Sequence, residues 1–381
     1  MDSLAFIKDT INFICDPRIF FTPLIILFFI ALFSPRFWAR FWGVTFFMAS
    51  LLFFALGLSD KNFYLIVTKA DNIPIVVMIF LVGYFIWFSL KQANENDKRI
   101  AEGKEIDEKL YQQKTLTWPD LVYIELIALI LATVILIIWS IQIGAPLEEW
   151  ANPTRSPNPS KAPWYFLGLQ EVLVYFDPWI AGVLIPLLII FGLMAIPYID
   201  RNPEGSGYYS FAKRKFSITV FLSGFVLWTV LIVIGTFLRG PNWSFFGLFE
   251  SWDIQKIVPL INVQLSELIW TKWFGMAKPE SWFIREIFGI LILFLYIPGL
   301  PVGLARAWKL NNAFQKVPFV GELLVSISDF FKDFYDRKGP VRYYISTILL
   351  LIMAGLIIKM YLRWIFNLKY IVSVPEYFFN I

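Results

Sequence analysis

L-V-Y-I-E-L-I-A-L-I-L-A-T-V-I-L-I-I-W-S-I-Q-I, residues 121–143, is the stretch that decides the fold. No charged side chain interrupts it between Leu126 and Ile138. A helix needs roughly 20 mostly apolar residues to cross the hydrocarbon of a bilayer, and this segment has them. The same ruler, moved outward in both directions, predicts spans over 18–34, 41–58, 73–90, 120–143, 178–198, 216–238, 283–305 and 342–364. The composition agrees. Of 381 residues 58% are hydrophobic and only 16% charged, with 40 Phe, 16 Trp and 16 Tyr. Soluble domains sit nearer 45–50% apolar and about 25% charged. The expected fold is an all-α integral membrane protein of about eight transmembrane helices.

Loop charge orients these spans. Loops 1–2, 3–4, 5–6 and 7–8, with Arg342 at the edge of the last, together carry 19 of the 33 Lys and Arg residues. The basic side of a membrane protein faces the cytoplasm, so both termini are expected on the opposite, non-cytoplasmic face. The mixed-charge run 91–119 reads as a solvated helical linker, and 320–340 as an amphipathic helix on the cytoplasmic surface. Residues 1–91 then form a three-span region of unassigned role, 92–117 a charged linker, 118–245 a central domain and 246–381 a two-span region.

Two scarcities limit the chemistry. The chain has no histidine, which excludes bis-histidine haem, His-ligated zinc or copper, and His-based acid–base catalysis by its own residues. It has one cysteine, Cys15, too few for a disulfide or an iron–sulfur cluster. The expectation is no metal and no haem ligand in this chain, and a net charge of +4 spread over loops gives no sign of nucleic acid.

The informative loop joins spans 4 and 5: A-P-L-E-E-W-A-N-P-T-R-S-P-N-P-S-K-A-P-W-Y-F-L-G-L-Q-E-V-L-V-Y-F-D-P-W, residues 145–179. Pro146, Pro153, Pro157 and Pro159 forbid a helix at its start. Pro163 suits a first helical turn, where its missing N–H costs nothing. From Trp164 to Phe176 the chain is aromatic and apolar but too short to span, so a short interfacial helix is expected. Gln170 and Glu171 are its only strongly polar side chains. A carboxylate in such surroundings is costly to charge, a property suited to a group that accepts and releases protons. The plainer alternative is that Glu171 faces water or pairs with Arg155 or Lys161. Near the end of span 8, Lys359 and Arg363 are expected to snorkel to headgroups, and Arg285 with Glu286 to anchor span 7 at the interface. Pro186 and Pro298 are expected kinks.

K-A-P-W-Y-F-L-G-L-Q-E, residues 161–171, resembles the C-terminal domain of cytochrome b, the part made as a separate subunit IV in some bc- and bf-type complexes. That family has a Pro-Glu-Trp-Tyr motif; here Ala162, Pro163, Trp164 and Tyr165 stand in its place, so Pro163 replaces the motif glutamate. The resemblance extends over residues 118–245, through Trp118, Pro119, Asp120 and Glu125, the Gly182…Pro186 pattern, and Arg239–Trp243. It implies a membrane subunit of a quinol–cytochrome c-type oxidoreductase, inactive alone. Pro163, Trp164, Tyr165, Phe166, Gln170 and Glu171 would contact a quinol, menaquinol or ubiquinol. Glu171 would be the proton acceptor in place of the missing glutamate. The implied partners are a haem-binding cytochrome b N-terminal subunit, a Rieske-type 2Fe-2S protein and a c-type cytochrome. Together they form a hetero-oligomer in a bacterial cytoplasmic membrane, with dimerisation of the whole left open. Haem b and the cluster belong to those partners. The alternative is a scaffold or anchor subunit of a respiratory complex with no working quinone site.

Overall fold

The computed structural model describes residues 3–112, 114–144, 150–200 and 207–381; Pro146, named above, and Arg201, one of the basic residues counted in the loop between spans 5 and 6, lie outside them. The helices in chain order are α1 (Ser3–Ile14), α2 (Pro17–Phe33), α3 (Arg40–Gly57), α4 (Lys61–Val67), α5 (Ile73–Ala101), α6 (Asp107–Leu110), α7 (Val122–Gln142), α8 (Leu167–Val172), α9 (Ile185–Ile199), α10 (Lys215–Val233), α11 (Trp282–Phe294), α12 (Leu300–Arg306), α13 (Asn311–Phe314), α14 (Gly321–Lys338) and α15 (Pro340–Phe366). Four short strands, β1 (Val263–Gln264), β2 (Leu368–Tyr370), β3 (Ser373–Val374) and β4 (Phe379–Asn380), pair as β1–β2 and β3–β4. The all-α membrane class expected from the sequence is the one observed.

Among the described residues seven helical runs are long and apolar enough to cross a membrane: Arg40–Gly57, Ile73–Ala101, Thr117–Gln142, Ile180–Ile199, Lys215–Leu238, Trp282–Phe314 and Pro340–Phe366. The pair Leu4–Ile14 and Pro17–Phe33, bent by 75°, makes an eighth if taken as one span. The bend falls at Asp16-Pro17. Proline cannot continue the preceding helix, and the Asp16 carboxylate caps the next one by accepting from the Arg18 amide at 3.0 Å. Pro186 and Pro298 do widen their helices: the turns Ile180–Leu184 and Leu295–Gly299 are of the looser π type. Each proline lacks the N–H that would close a normal turn.

The chain divides into two compact units, Met1–Gly168 with Glu204–Val258, and Leu169–Pro203 with Pro259–Ile381. In unit one, α4, α5, α10 and the turn that follows α10 meet at Phe63, Ile66, Val67, Ile75, Ile232 and Phe237, and Leu32, Leu90 and Leu222 form a second cluster. The span through α7 packs differently: no residue of its apolar window is buried. Such a helix is self-sufficient in hydrocarbon, because its backbone hydrogen bonds are internal and its side chains match the solvent. The charged run beyond residue 91 is less solvated than its composition suggests. Helix α5 continues to Ala101; Asn96 is fully buried and donates to the Tyr209 carbonyl at 3.0 Å. Asp97 accepts from the Phe211 and Ala212 amides at 3.1 and 2.8 Å. Charge alone could not reveal a loop that folds back onto this face.

Asp60 caps α4, accepting from the amides of Asn62 and Phe63 and from the Lys8 ammonium at 2.6 Å. Burial by itself would raise this carboxyl, but Lys8 and the two amides hold it below the ordinary carboxylate range. A lowered acid stabilises the fold above its unfolded value, near 4, and loses that contribution as the pH falls through the lowered folded value. Asp60→Ala is therefore expected to cost about 1 kcal/mol at neutral pH. The difference in melting temperature between wild type and variant should shrink as the pH drops below about 4. A gap that stays constant from pH 7 to pH 3 would show the carboxylate contributes nothing.

Unit two is built on α9, α11–α13 and α15, with α14 lying against α12 and α15. Helix α14 is the amphipathic segment expected over 320–340. Leu265, Ile269 and Leu368 close the end of this unit, where the chain after α15 turns left-handed at Asn367 and pairs β2 with β1.

Candidate functional site

From Trp150 to Pro163 the chain runs without regular helix, as its prolines require. Three contacts hold it within unit one. Asn152 folds back to accept from the amide and hydroxyl of Thr154 at 3.0 and 2.8 Å. Asn158 exchanges two hydrogen bonds with Asn242, donating through Nδ2 at 2.8 Å and accepting the Asn242 amide at 2.6 Å. Lys161 donates to the Thr236 carbonyl at 2.7 Å and lies 4.8 Å from the Trp252 ring centre. That carbonyl belongs to the loose last turn of the sixth span, Ile234–Leu238, where helix-end oxygens need outside donors.

The receiving turn, Arg239–Trp243, is equally well tied. Arg239 is nearly buried, its guanidinium 3.6 Å from the Phe245 ring centre and its Nη1 donating to the Trp243 carbonyl at 2.7 Å. Asn242 is held at φ 56°, a conformation asparagine tolerates better than most residues. Its Nδ2 donates to the Ile254 and Lys256 carbonyls at 2.8 and 3.3 Å.

A helix forms within the expected segment but is shorter. A tight 3-10 turn, Trp164–Phe166, leads into α8, which ends at Val172, short of Phe176. Its first part packs against α10 and the turn that follows it at close range. A Cβ built on Gly235 would sit 3.2 Å from the Leu167 carbonyl oxygen, and one on Gly168 3.3 Å from the Trp228 ring. A side chain at either position would have to push its neighbour back by a few tenths of an ångström. Leu167 is buried, while Trp164, Tyr165 and Phe166 remain 37%, 50% and 50% exposed. Their ring centres are 5.6 and 4.6 Å apart in succession. The result is a contiguous aromatic face on the surface of the chain, with Pro163 exposed beside it.

Glu171 is in unit two, fully buried, and accepts from the Tyr175 hydroxyl at 3.0 Å. It does not face water. Lys161 is engaged by Thr236 and Trp252, as described. Gln170 is half-buried. Tyr175, also fully buried, packs edge-on against Trp364 with ring centres 6.1 Å apart. Phe176 lies under the Lys359 ammonium, 5.4 Å from Nζ. Asp177 accepts from the Tyr370 hydroxyl at 3.3 Å; burial and the nearby Asp177 charge both raise that phenol. Burial and then the Arg363 charge lower the Lys369 ammonium, against the pull of Asp177.

Three readings of charged residues are corrected here. Lys359 does not snorkel: it is 2% exposed, and its Nζ has no hydrogen-bond partner among the described residues. Arg363 turns inward too, donating to the Ile261 and Asn367 carbonyls at 2.6 and 2.8 Å and to Asn262 Oδ1 at 2.8 Å. Glu286 is buried and accepts the Ser373 amide at 3.0 Å, while Arg285 reaches the exposed Glu376 at 2.9 Å. A lysine near a span end reaches headgroups only if no neighbouring element covers it, and that depends on packing. Tyr175 was overlooked although a signal existed, since a tyrosine four residues after a glutamate shares its helical face.

Among the described residues no three His, Cys, Asp or Glu side chains gather to hold a metal ion. With no histidine and one cysteine, the chain does not fit haem b or a 2Fe-2S cluster as a ligand.

Residues 150–251 match the family described as Cytochrome b(C-terminal)/b6/petD. The matched segment is 102 of the 381 residues. It takes in the extended loop, the aromatic triplet, Glu171 and the Arg239–Trp243 turn. That family supplies membrane subunits of bc/b6f-type electron-transport complexes, consistent with a multi-pass membrane chain. No solved structure matches this chain.

Proposed function

We propose that the chain is a subunit IV-like component of a quinol–cytochrome c-type oxidoreductase in a bacterial cytoplasmic membrane, contributing to quinol oxidation on the non-cytoplasmic side. Residues 118–245 are its cytochrome b-like part, and both termini lie on that same side. The observation that carries the reading is the exposed aromatic face of Trp164, Tyr165 and Phe166, followed within one short helix by the fully buried carboxyl group of Glu171. Flat aromatic side chains suit a ring-shaped guest, with Pro163 and Gln170 beside them. Glu171, oriented by Tyr175, takes up a proton as the quinol, menaquinol or ubiquinol, is oxidised. The electrons go to a Rieske-type protein and to haem b of a separate cytochrome b N-terminal chain, then onward to a c-type cytochrome.

The test is titration of a quinol-site inhibitor against the complex isolated from membranes. Tyr165→Ala and Trp164→Ala should each weaken binding roughly 10-fold or more, the loss of about 1.5–3 kcal/mol of apolar contact. Binding unchanged in both variants would reject this reading in favour of a scaffold subunit.

A further inference from the structure

We propose that a cavity in unit one holds a zwitterionic phospholipid headgroup, with its phosphate on Lys215 and its ammonium on Asp97. The inference is independent of the quinol reading, and most of the cavity wall lies outside the matched residues 150–251.

The cavity has a volume of about 260 Å³ and lies where the first and third spans end and the sixth begins. Its floor is apolar: Leu32 at the end of α2 and Leu90 on α5 belong to the buried cluster that Leu222 of α10 completes. Phe33 and Phe211 stand edge to face in its wall, with ring centres 6.0 Å apart. Beyond the span ends come Asp97, on the continuation of α5, and Lys215, the first residue of α10. Asn94 donates to the Pro35 carbonyl at 3.5 Å and so ties the turn that carries Trp38 to α5. A cleft that is apolar at the span ends and charged just past them matches the boundary between hydrocarbon and headgroups.

The charges in this wall do not satisfy one another. Asp97 accepts from three neutral donors, the Ser210 hydroxyl and the amides of Phe211 and Ala212, and has no ion pair among the described residues. The Lys215 ammonium is exposed and likewise forms no ion pair there. Two opposite charges that line one cavity without joining leave a place for a ligand bearing both signs, its phosphate toward lysine and its ammonium toward aspartate. Trp38 adds a donor: its Nε1 is buried and has no hydrogen-bond partner among the described residues. Such a group is costly until an acceptor, here a phosphate oxygen, reaches it. The three aromatic rings of the wall, Phe33, Trp38 and Phe211, suit an ammonium. An anionic headgroup would instead set a second negative charge beside Asp97.

Size points the same way. Pockets that enclose whole drug-sized ligands run from roughly 300 to 1,000 Å³. This smaller one suits a headgroup whose acyl chains stay outside, against the apolar faces of the spans.

The experiment is native mass spectrometry of the full chain, extracted in detergent and stripped of lipid. It is titrated with dioleoyl phosphatidylethanolamine, with dioleoyl phosphatidylglycerol and with water-soluble glycerophosphoethanolamine. One phosphatidylethanolamine should bind at least about fivefold more tightly than phosphatidylglycerol, which has no ammonium for Asp97. Lys215→Gln should weaken that binding about tenfold, the scale of one charge-assisted hydrogen bond, and Trp38→Phe roughly threefold or more. Arg40→Gln, which removes an exposed cation of the first loop outside the cavity, should leave it unchanged. Equal affinity for the two lipids would reject the site, as would wild-type binding by both Lys215→Gln and Trp38→Phe. Equal losses in Arg40→Gln and Lys215→Gln would reduce the effect to general surface charge and reject it too. Displacement of the lipid by an equal concentration of glycerophosphoethanolamine would overturn the lipid assignment in favour of a soluble ligand. Should Trp38→Phe not fold, Lys215→Gln decides alone, since that side chain is exposed.

Discussion

Glu171→Gln is expected to lower steady-state quinol oxidation by roughly two orders of magnitude or more, the usual contribution of a positioned proton acceptor. The substitution is nearly isosteric, so it creates no cavity in the packed layer around Val172 and Tyr175, both fully buried. The amide oxygen of glutamine can still accept from the Tyr175 hydroxyl that now bonds Oε1 at 3.0 Å. The substitution keeps the length and shape of the side chain and removes its capacity to hold a proton. Haem content of the assembled complex and its elution as a single species should therefore match wild type while turnover collapses. Wild-type turnover in a complex shown by mass spectrometry to carry the glutamine would sink the role assigned to Glu171.

The second large effect is structural. Gly289→Val is expected to destabilise unit two by about 1–3 kcal/mol, the cost of forcing volume into a filled site. A Cβ on Gly289 would collide with the Ile371 carbonyl oxygen and lie 2.9 Å from Val372 Cγ2. The first of these is backbone and cannot rotate away. That backbone is pinned from the far side, because the Ile371 amide donates to the Ile381 carbonyl at 2.6 Å and the Ile381 amide to the Val372 carbonyl at 2.9 Å. One turn earlier on α11, Glu286 accepts the Ser373 amide. Displacing the C-terminal strands uncovers this carboxylate as well. Detergent-extracted variant protein should melt several degrees below wild type in a fluorescence-detected unfolding scan. Gly289→Ala should shift in the same direction by less, and an unshifted melting curve for both would mean that the C-terminal strands do not seat on α11.

The eight predicted spans differ from the helices by only a few residues at most ends, because a span is a local property. Its length and apolarity are set by the bilayer rather than by any neighbour. The larger discrepancies arise where a distant segment intervenes. Helix α5 runs on to Ala101 because Asn96 and Asp97 find backbone partners around residues 209–212, more than a hundred positions away. The run from Trp282 extends to Phe314, where α12 and α13 pack against α14. The site was half legible. Trp164, Tyr165, Phe166 and Glu171 stand out as aromatic and acidic residues in a proline-framed loop. Their division into an exposed aromatic face and a fully buried carboxyl group does not follow from spacing.

What the sequence by itself determined is the solvent of this protein, the number and position of its membrane helices, the extended course of the proline-rich loop and the absence of histidine for any metal. Each follows from a rule acting on neighbouring residues: hydrocarbon demands internally bonded helices, proline refuses them, and a missing side chain cannot ligate. The tertiary structure alone decided which polar groups became interior. Lys359 and Glu171 have unremarkable neighbours in sequence, and either could have reached headgroups or water. They are buried because α15 and the segment after α8 meet through Trp364, Tyr175 and Phe176, and burial is set by whatever packs against a side chain, however far away in the chain it originates.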